Sequence, residues 1–386
     1  MNKFLFILLL FAATKAEAQT SALAIADSLY AVGNYSGAIN ELENSEIRSE
    51  AVLLKLAQAQ KANGNILAAL ENYEAVMKSS PERILTAVEY AKLLSSTGNL
   101  QEADSIFTSL TKRHPMNAGF HYQLGLIREK RKDSTAMSHY NITVLLQKTH
   151  QEALIKVATR ALTDGELLRG ERLSKQGLET NPNGIALLSI LAQSYYYQKE
   201  FKQAVERFEK LVELGAGSEF VHSKLGTAYF HLEDYDKAIA HFNLALDYED
   251  ENHATHYSLG KLYALVGDYK NSEGHLLQAI LLKDVILDEE FTSLGLTYKL
   301  QEKPKDALKY FNLAIEEDPY NERAMYERAI AADSYFKDLE SRKKYYEEYL
   351  ERFQENGGKN LVLLAQRRIK DLKEEIHMQA AALEKK

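Results

Sequence analysis

The sequence predicts an all-α protein in which pairs of antiparallel helices stack into a solenoid. Composition is the first reason: the chain of 386 residues has only five prolines and 19 glycines, whereas all-β folds use these residues at every hairpin. The second reason is that small residues recur about every 34 positions. The third is that apolar residues around them recur at steps of three and four, the period of an α-helix.

Composition also limits the possible functions. A formal charge of −8 offers no basic face for nucleic acid or an acidic lipid surface, so we expect neither partner. Without cysteine the chain cannot form disulfides, thiolate nucleophiles or iron–sulfur clusters. The sequence has no phosphate loop, H-E-x-x-H or G-x-S-x-G motif. We therefore predict a protein that is not an enzyme and needs no cofactor.

The first segment of the chain has the pattern of a secretory signal peptide. Lys3 precedes an apolar run over 4–13, and the small-residue pattern Ala16-Glu17-Ala18 follows it. This run is about half of the roughly 20 residues that a membrane-spanning helix needs. We expect residues 1–18 to be removed and the mature chain to be periplasmic or secreted, with no insertion into the membrane.

One small residue marks each repeat of the region that follows. Successive markers lie 31 to 35 residues apart, and they are Ala26, Ala57, Ala91, Gly125, Ala158, Ala192, Gly226, Gly260, Gly295 and Ala329. Two short helices expose an apolar face that one repeat cannot bury, so neighbouring repeats must stack. The spacing predicts a solenoid of about ten helix–turn–helix repeats over residues 19–353.

The repeat around Gly226 shows how each helix pair is built. Leu225 and Tyr229 share one face of the first helix, and a short polar turn over 232–234 leads to the second. Ala238 is a second small residue, and we expect the two helices to approach closely at both small positions. Four prolines fall 24 residues after the small residue of their own repeats, where proline ends the second helix; they are Pro81, Pro115, Pro182 and Pro319.

Two parts of the chain depart from this pattern. The repeats around Gly125, Ala158 and Ala329 are degenerate, and they leave open whether the superhelix is interrupted near 120–180; their second small positions are held by Ala136 or Met137, by Gly170 and by Ser341. After a predicted stop at 354–358, residues 359–384 form one amphipathic helix with the apolar stripe Leu361, Ala365, Ile369, Leu372, Ile376 and Ala380. We interpret it as a cap on the last repeat, with a partner-binding or dimerising helix as the alternative.

The pattern L-G-x-x-Y, then G-x-Y-x-x-A, F, A and P at this spacing resembles the tetratricopeptide repeat. The match is strongest at Leu225-Gly226-Tyr229, Leu259-Gly260-Tyr263 and Leu294-Gly295-Tyr298, although the family's tryptophan is absent throughout. The resemblance implies a right-handed superhelix whose first helices line a concave groove for extended peptides or partner helices. One subgroup clamps a terminal carboxylate with Lys and Asn at positions 5 and 9, and no repeat here matches that pair.

Residues of the groove follow from the repeat register. With the small residue at position 8, positions 5, 9 and 12 of the first helix face away from the second helix. They supply aromatic rings and cations, which are typical of recognition surfaces: Tyr122, Gln193, Tyr196, Phe230, Tyr257, Lys261 and Lys299. The alternative is that some of these rings pack sideways against the neighbouring repeat.

Two further patterns have competing explanations. His222 and His256 are 34 residues apart and His253 precedes His256 by one turn, so stacking could gather them at a metal ion; we prefer the explanation that the repeat template sets the spacing. The basic cluster within 128–132 and the acidic one within 247–251 are interpreted as solvated turns, with docking of a charged partner as the alternative.

These observations together predict a non-enzymatic scaffold of the bacterial envelope. It would hold a protein or peptide in its groove and support assembly or secretion complexes. The alternative is a regulatory or substrate-binding subunit of a cell-wall or other envelope enzyme.

Overall fold

The computed structural model describes residues 22–45, 48–283 and 286–384, with side chains to residue 380. The predicted signal peptide at 1–18 lies outside these residues. In the described ranges α-helices alternate with short turns and no β-strand occurs. The predicted fold class is confirmed as an all-α repeat solenoid. The chain divides into two compact parts, which we call the N-terminal unit, through Pro182, and the C-terminal unit, from Asn183.

The N-terminal unit consists of five antiparallel helix pairs. In chain order its helices are α1 (22–31), α2 (Tyr35–Glu43), α3 (Glu50–Ala62), α4 (Ile66–Ser79), α5 (Ile84–Ser96), α6 (Leu100–Arg113), α7 (Ala118–Lys130), α8 (Ala136–Leu146), α9 (Gln151–Thr163) and α10 (Leu167–Leu178). Pro81 and Pro115 follow the ends of α4 and α6 by two residues, as expected for residues that stop a helix.

The C-terminal unit has five more pairs and one long final helix. Its helices are α11 (Ile185–Tyr197), α12 (Phe201–Glu213), α13 (Glu219–His231), α14 (Tyr235–Tyr248), α15 (His253–Leu265), α16 (Tyr269–Leu282), α17 (Asp288–Leu300), α18 (Pro304–Glu317), α19 (Glu322–Tyr335), α20 (Leu339–Phe353) and α21 (Lys359–Glu384). Within the described part of the chain, no helix combines the length and apolarity that crossing a membrane requires.

The small residues lie where the two helices of a pair touch. All ten are buried on the first helix of their pair. A Cβ atom added to Gly226 would lie 2.8 Å from the ring of Phe242 on the second helix, and one added to Gly260 would lie 2.6 Å from Leu276. Real Cβ atoms do not approach so closely, so the predicted close contact is confirmed.

A second regular feature is the turn within each pair. The residue seven positions after the small one has a left-handed backbone in nine pairs. Glycine adopts this conformation freely, whereas another residue pays about 1–2 kcal/mol. Glycine holds five of these turns, at 33, 64, 98, 165 and 267, and the other four are held by Lys132, Lys199, Glu233 and Glu302.

The degenerate repeats form helix pairs like the others. In the Gly125 repeat, Ala136 is buried and Met137 is half-buried, so Ala136 fills the small position. Gly170 is buried, and Ser341 is half-buried. Sequence reasoning left these registers open because several small or flexible residues stand near each position.

The final helix, α21, covers the last repeat. Ala365, Ile369 and Leu372 are buried in one cluster with Tyr349 and Phe353 of α20. Ile376 is half-buried and Ala380 is exposed, so the predicted stripe is wrong at its far end. The reason is length: α21 has 26 residues and α20 has 15, so at 1.5 Å per residue α21 extends beyond its neighbour. The buried stretch supports the capping interpretation.

Candidate functional site

The C-terminal unit has a concave cavity along three successive first helices. It measures about 490 Å³ and is formed by α15, α17 and the start of α19. Its apolar wall consists of Ala264, Leu265, Leu296 and Leu300. The remaining lining residues are polar or charged: Tyr257, Lys261, Asp288, Glu289, Thr292, Ser293, Asn321 and Arg323. We call this site the Tyr257 cavity.

Tyr257 is fixed between two neighbouring repeats. Its hydroxyl accepts a hydrogen bond of 3.2 Å from Ser293 Oγ on α17, and its ring lies parallel to that of His253, with centroids 6.4 Å apart. Burial raises the pKa of Tyr257, although the bond from Ser293 acts against this. The phenol therefore stays protonated at neutral pH and brings a rigid, amphipathic ring to the cavity.

Two cations of the cavity are free to meet a ligand. Lys261 Nζ lies 5.0 Å from the centroid of the Tyr257 ring and the side chain is exposed, as is that of Arg323. Neither forms an ion pair with any residue that the structure describes. Asp288 is already engaged, because its carboxylate accepts a bond of 2.8 Å from Asn321 Nδ2. Asp288 and Glu289 bring two carboxylates to the same lining, so the cavity combines an apolar wall with charges of both signs.

Other predicted groove residues are engaged with protein neighbours. Lys299 pairs with Glu327 of α19, and the Gln193 amide donates to Ser189 Oγ at 3.1 Å on its own helix. Tyr122 belongs to the N-terminal unit, where its ring lies 4.5 Å from that of His150.

Tyr196 and Phe230 lie on α11 and α13, outside the Tyr257 cavity. Tyr196 is half-buried against the next repeat, with Lys224 Nζ 4.7 Å from its ring centroid; burial raises its pKa, and a hydrogen bond with Thr227 acts against this. The sideways packing considered above thus describes Tyr196. Phe230 is 39% exposed at the end of α13.

Profiles of the tetratricopeptide repeat match three segments of the chain, residues 187–214, 219–252 and 291–321. These segments coincide with the helix pairs α11/α12, α13/α14 and α17/α18. These three helix pairs are tetratricopeptide repeats.

Several solved structures are similar to parts of this chain. YrrB, described as having an unusual peptide-binding site, is 20% identical, covers 48% of this chain and 96% of its own, and has a TM-score of 0.45. PilW, a type IV pilus biogenesis factor, is 16% identical over 55% of this chain and 97% of its own, with a TM-score of 0.46.

A tetratricopeptide repeat protein of Parabacteroides merdae is 15% identical over 74% of this chain and 99% of its own, with a TM-score of 0.42. No curated protein sequence matches the chain.

Sequence reasoning missed several residues of the Tyr257 cavity. Arg323 and Asp288 lie near the starts of their first helices, and Leu265 and Leu300 near the ends, outside positions 5, 9 and 12. A usable signal was present for the leucines: both follow the small residue of their repeat by five positions. An apolar residue at an exposed helix end in two successive repeats indicates a surface.

The histidines do not gather at one point. His222 Nδ1 lies 3.1 Å from His241 Nδ1, and His256 Nδ1 lies 2.9 Å from His275 Nδ1. His253 instead bonds to Glu290 at 2.7 Å. No group of three or more histidine or acidic side chains that could hold a metal ion occurs in the ranges with described coordinates. The repeat template therefore explains the spacing.

The basic cluster serves the contact between repeats. Arg128 and Arg131 both pair with Asp104 of α6, at 3.2 and 2.8 Å, and Lys130 Nζ donates to the Ser95 carbonyl oxygen at 3.3 Å. Three of the four basic side chains are therefore engaged with the preceding repeat, and less charge is left for an acidic partner.

Proposed function

We propose that this protein is a non-enzymatic scaffold that captures a segment of a partner protein in the Tyr257 cavity. The observation that supports the proposal is the combination of an apolar wall with Lys261 and Arg323, two cations that lack ion pairs among the described residues. An apolar side chain of the partner would cover Leu296 and Leu300. A carboxylate beside it would gain charge-assisted hydrogen bonds from the two cations.

The cellular setting is a separate part of the proposal. We propose that the scaffold works in the bacterial envelope, as a periplasmic or secreted protein that supports assembly or secretion complexes. Its support is the sequence of residues 1–18 and the absence of cysteine, which lets the chain fold without an oxidant. N-terminal sequencing of the exported form should find Gln19 first, and a chain that keeps Met1 in a membrane fraction would contradict this address.

Site-specific photo-crosslinking in cells tests the binding site. A photoreactive side chain at Leu300, which is 49% exposed in the cavity, is compared with one at Leu277 on α16, which is 43% exposed on a second helix. We expect a discrete crosslinked partner only from Leu300, and we expect Lys261→Ala with Arg323→Ala to remove it. Equal products from both positions, or none from Leu300, would contradict the proposal. The recovered partner also shows whether it is an envelope enzyme or an assembly component.

A further inference from the structure

Three repeats contain a pair of histidines that join the first helix to the second. The pairs, which we call the histidine latches, are His121–His139, His222–His241 and His256–His275. Their facing Nδ1 atoms are 3.1, 3.1 and 2.9 Å apart. In each latch the first histidine precedes the small residue by four positions, so the latches occupy the same place in α7/α8, α13/α14 and α15/α16.

The neighbours of the rings determine where the protons are. His121 Nε2 lies 3.0 Å from the Pro115 carbonyl oxygen, and His256 Nε2 lies 2.9 Å from that of Asp250. A carbonyl oxygen only accepts, so both Nε2 atoms carry a proton, and in a neutral ring Nδ1 must then accept. The partner, His139 or His275, therefore donates from Nδ1.

The first latch has a complete chain of donors. Arg128 Nη1 donates to His139 Nε2 at 2.9 Å, His139 Nδ1 donates to His121, and His121 donates to the Pro115 oxygen. Every ring in this chain is neutral. The latch of His222 and His241 occupies the equivalent place in its repeat, so we assign the same arrangement to it.

A latch tolerates one proton between its rings but not two. If both rings become imidazolium ions, both facing Nδ1 atoms carry hydrogen, and the bond is replaced by repulsion between two positive rings. Burial and the nearby Arg128 lower the pKa of His139 to about 4, while Asp104 and Asp133 act against this. Burial also lowers the pKa values of His222 and His275.

Charged neighbours of the second latch, His222–His241, act on the pKa of His241 in both directions. Burial is the main reason that the pKa of His241 is lowered; His222 and Lys237 add to it, and Glu209 opposes it. The rings of Tyr229 and Tyr248 stack on this latch. Tyr263 stacks on His275 in the third latch, 5.4 Å away. Burial is what favours neutral rings in these two latches.

We propose that the three histidine latches form a pH-sensitive device, closed when the rings are neutral and released when acid protonates them. The sign follows from linkage: an unfolded histidine has a pKa of about 6.5, so below this pH the unfolded chain binds protons that the closed latches reject. Stability is complete above pH ~6.5 and decreases as the pH falls toward the folded values. Two latches lie in the C-terminal unit and one in the N-terminal unit.

The test uses full-length mature protein in which His139→Asn, His241→Asn and His275→Asn are combined. The amide nitrogen of asparagine lies close to the place of Nδ1 and donates the same bond without titrating. For the wild type, we expect the unfolding constant to rise by up to roughly tenfold per low-pKa histidine between pH 7.5 and 5.5, measured by urea titration with circular dichroism. The triple variant should lose most of this rise. The control, His377→Asn on an exposed part of α21, should keep it.

Two results would overturn the proposal. One is a triple variant that is folded at pH 7.5 and has the same pH profile as the wild type. The other comes from nitrogen-15 NMR of the wild-type histidines, which does not depend on any variant's folding: His139 and His275 should show the Nδ1–H tautomer and His121 and His256 the Nε2–H tautomer at pH 7.5. Nε2–H tautomers throughout, or titration of His139 and His275 at pH 6.5, would contradict the latches.

Discussion

The two units are built on the same repeat but use their exposed positions differently. Residues 1–182 contain 20 basic and 19 acidic residues, whereas 183–386 contain 27 and 36, so the formal charges are +1 and −9. In the N-terminal unit, first-helix cations pair across repeats: Lys61 with Glu89 at 2.6 Å and Lys156 with Glu129 at 2.9 Å. In the C-terminal unit, Lys299 pairs with Glu327 in the same way, whereas Lys261 and Arg323 have no such partner among the described residues.

In a repeat protein, binding is determined by the exposed positions rather than by those that hold the helices together. The positions that hold the helices together are the same in both units. The charged positions of the first helices differ: the concavity of the N-terminal unit combines Leu54 and Leu85 with Arg83, which is paired with Glu50. The concavity of the C-terminal unit combines Leu296 and Leu300 with Lys261 and Arg323. Paired cations stabilise the scaffold, whereas cations that lack an ion-pair partner beside apolar side chains suit a ligand.

The largest expected effect is local overpacking. Gly226→Leu places a side chain where even a Cβ atom would lie 2.8 Å from Phe242, so it should cost about 3 kcal/mol of unfolding free energy. Gly274→Leu is the matched control, because a Cβ atom there has nothing within 4 Å. Urea unfolding measures both. Equal stability of the two variants would show that the helices of the pair do not meet at Gly226.

Removing an ion pair should destabilise the C-terminal unit more than the N-terminal unit, because only the C-terminal pair is buried. Glu290 is 1% exposed and is bonded by Lys283 and His253, which together lower its pKa although burial acts in the opposite direction. Lys283→Met should cost about 2 kcal/mol. The corresponding change in the N-terminal unit, Lys61→Met, removes a pair in which both side chains are about 40% exposed and should cost less than about 1 kcal/mol.

The same carboxylate predicts a pH effect with a definite sign. Because the folded pKa of Glu290 is lowered, its contribution to stability is complete above its unfolded pKa and is lost as the pH falls through the folded value. This loss lies below pH ~4.3, below the window assigned to the histidine latches. An acid titration of Glu290→Gln should lack this low-pH component and retain the histidine one.

Binding should depend on basic side chains of the C-terminal unit and not on those of the N-terminal unit. Lys261→Ala with Arg323→Ala should weaken capture of the partner about tenfold or more, since each charge-assisted bond contributes about 1.5–3 kcal/mol. The matched pair in the N-terminal unit, Lys61→Ala with Arg83→Ala, should leave affinity unchanged. The affinities of the purified variants for the crosslinked partner measure this. Equal losses of affinity in the two double variants would show that binding does not depend specifically on the C-terminal unit.

The smallest expected effect concerns the left-handed turns. Four of the five in the N-terminal unit have glycine, whereas in the C-terminal unit Lys199, Glu233 and Glu302 adopt this backbone beside Gly267. Glu302→Gly should therefore stabilise by roughly 0.5–1 kcal/mol, and Gly267→Ala should destabilise by about 1 kcal/mol. Thermal unfolding of the two variants should shift in opposite directions.

The fold could be predicted from the sequence because the same packing contacts recur in successive repeats. Gly226, Ala238 and the prolines each occur at fixed offsets, and a contact that recurs ten times is visible without coordinates. The site is different, because it belongs to one place in the chain. Tyr257 and Lys261 could be selected from the register, whereas Arg323 enters the cavity from a neighbouring repeat at a position that the register does not mark.

The histidine latches are a second example of contacts that could not be predicted from the sequence. The 34-residue spacing of His222 and His256, and that of His241 and His275, was visible in the sequence, but not that the two sets face each other. Which side chains face each other across a helix pair depends on the crossing of the two helices, and one sequence does not fix it to within a hydrogen bond.

We expect the partner to bind at the Tyr257 cavity of the C-terminal unit. Hydrogen exchange of the mature protein with and without the partner recovered at Leu300 tests it most directly, because it reports on both units in one experiment. We expect slower amide exchange in α15, α17 and the start of α19 on binding, with α3 and α5 unchanged. Slower exchange confined to α3 and α5 would contradict it.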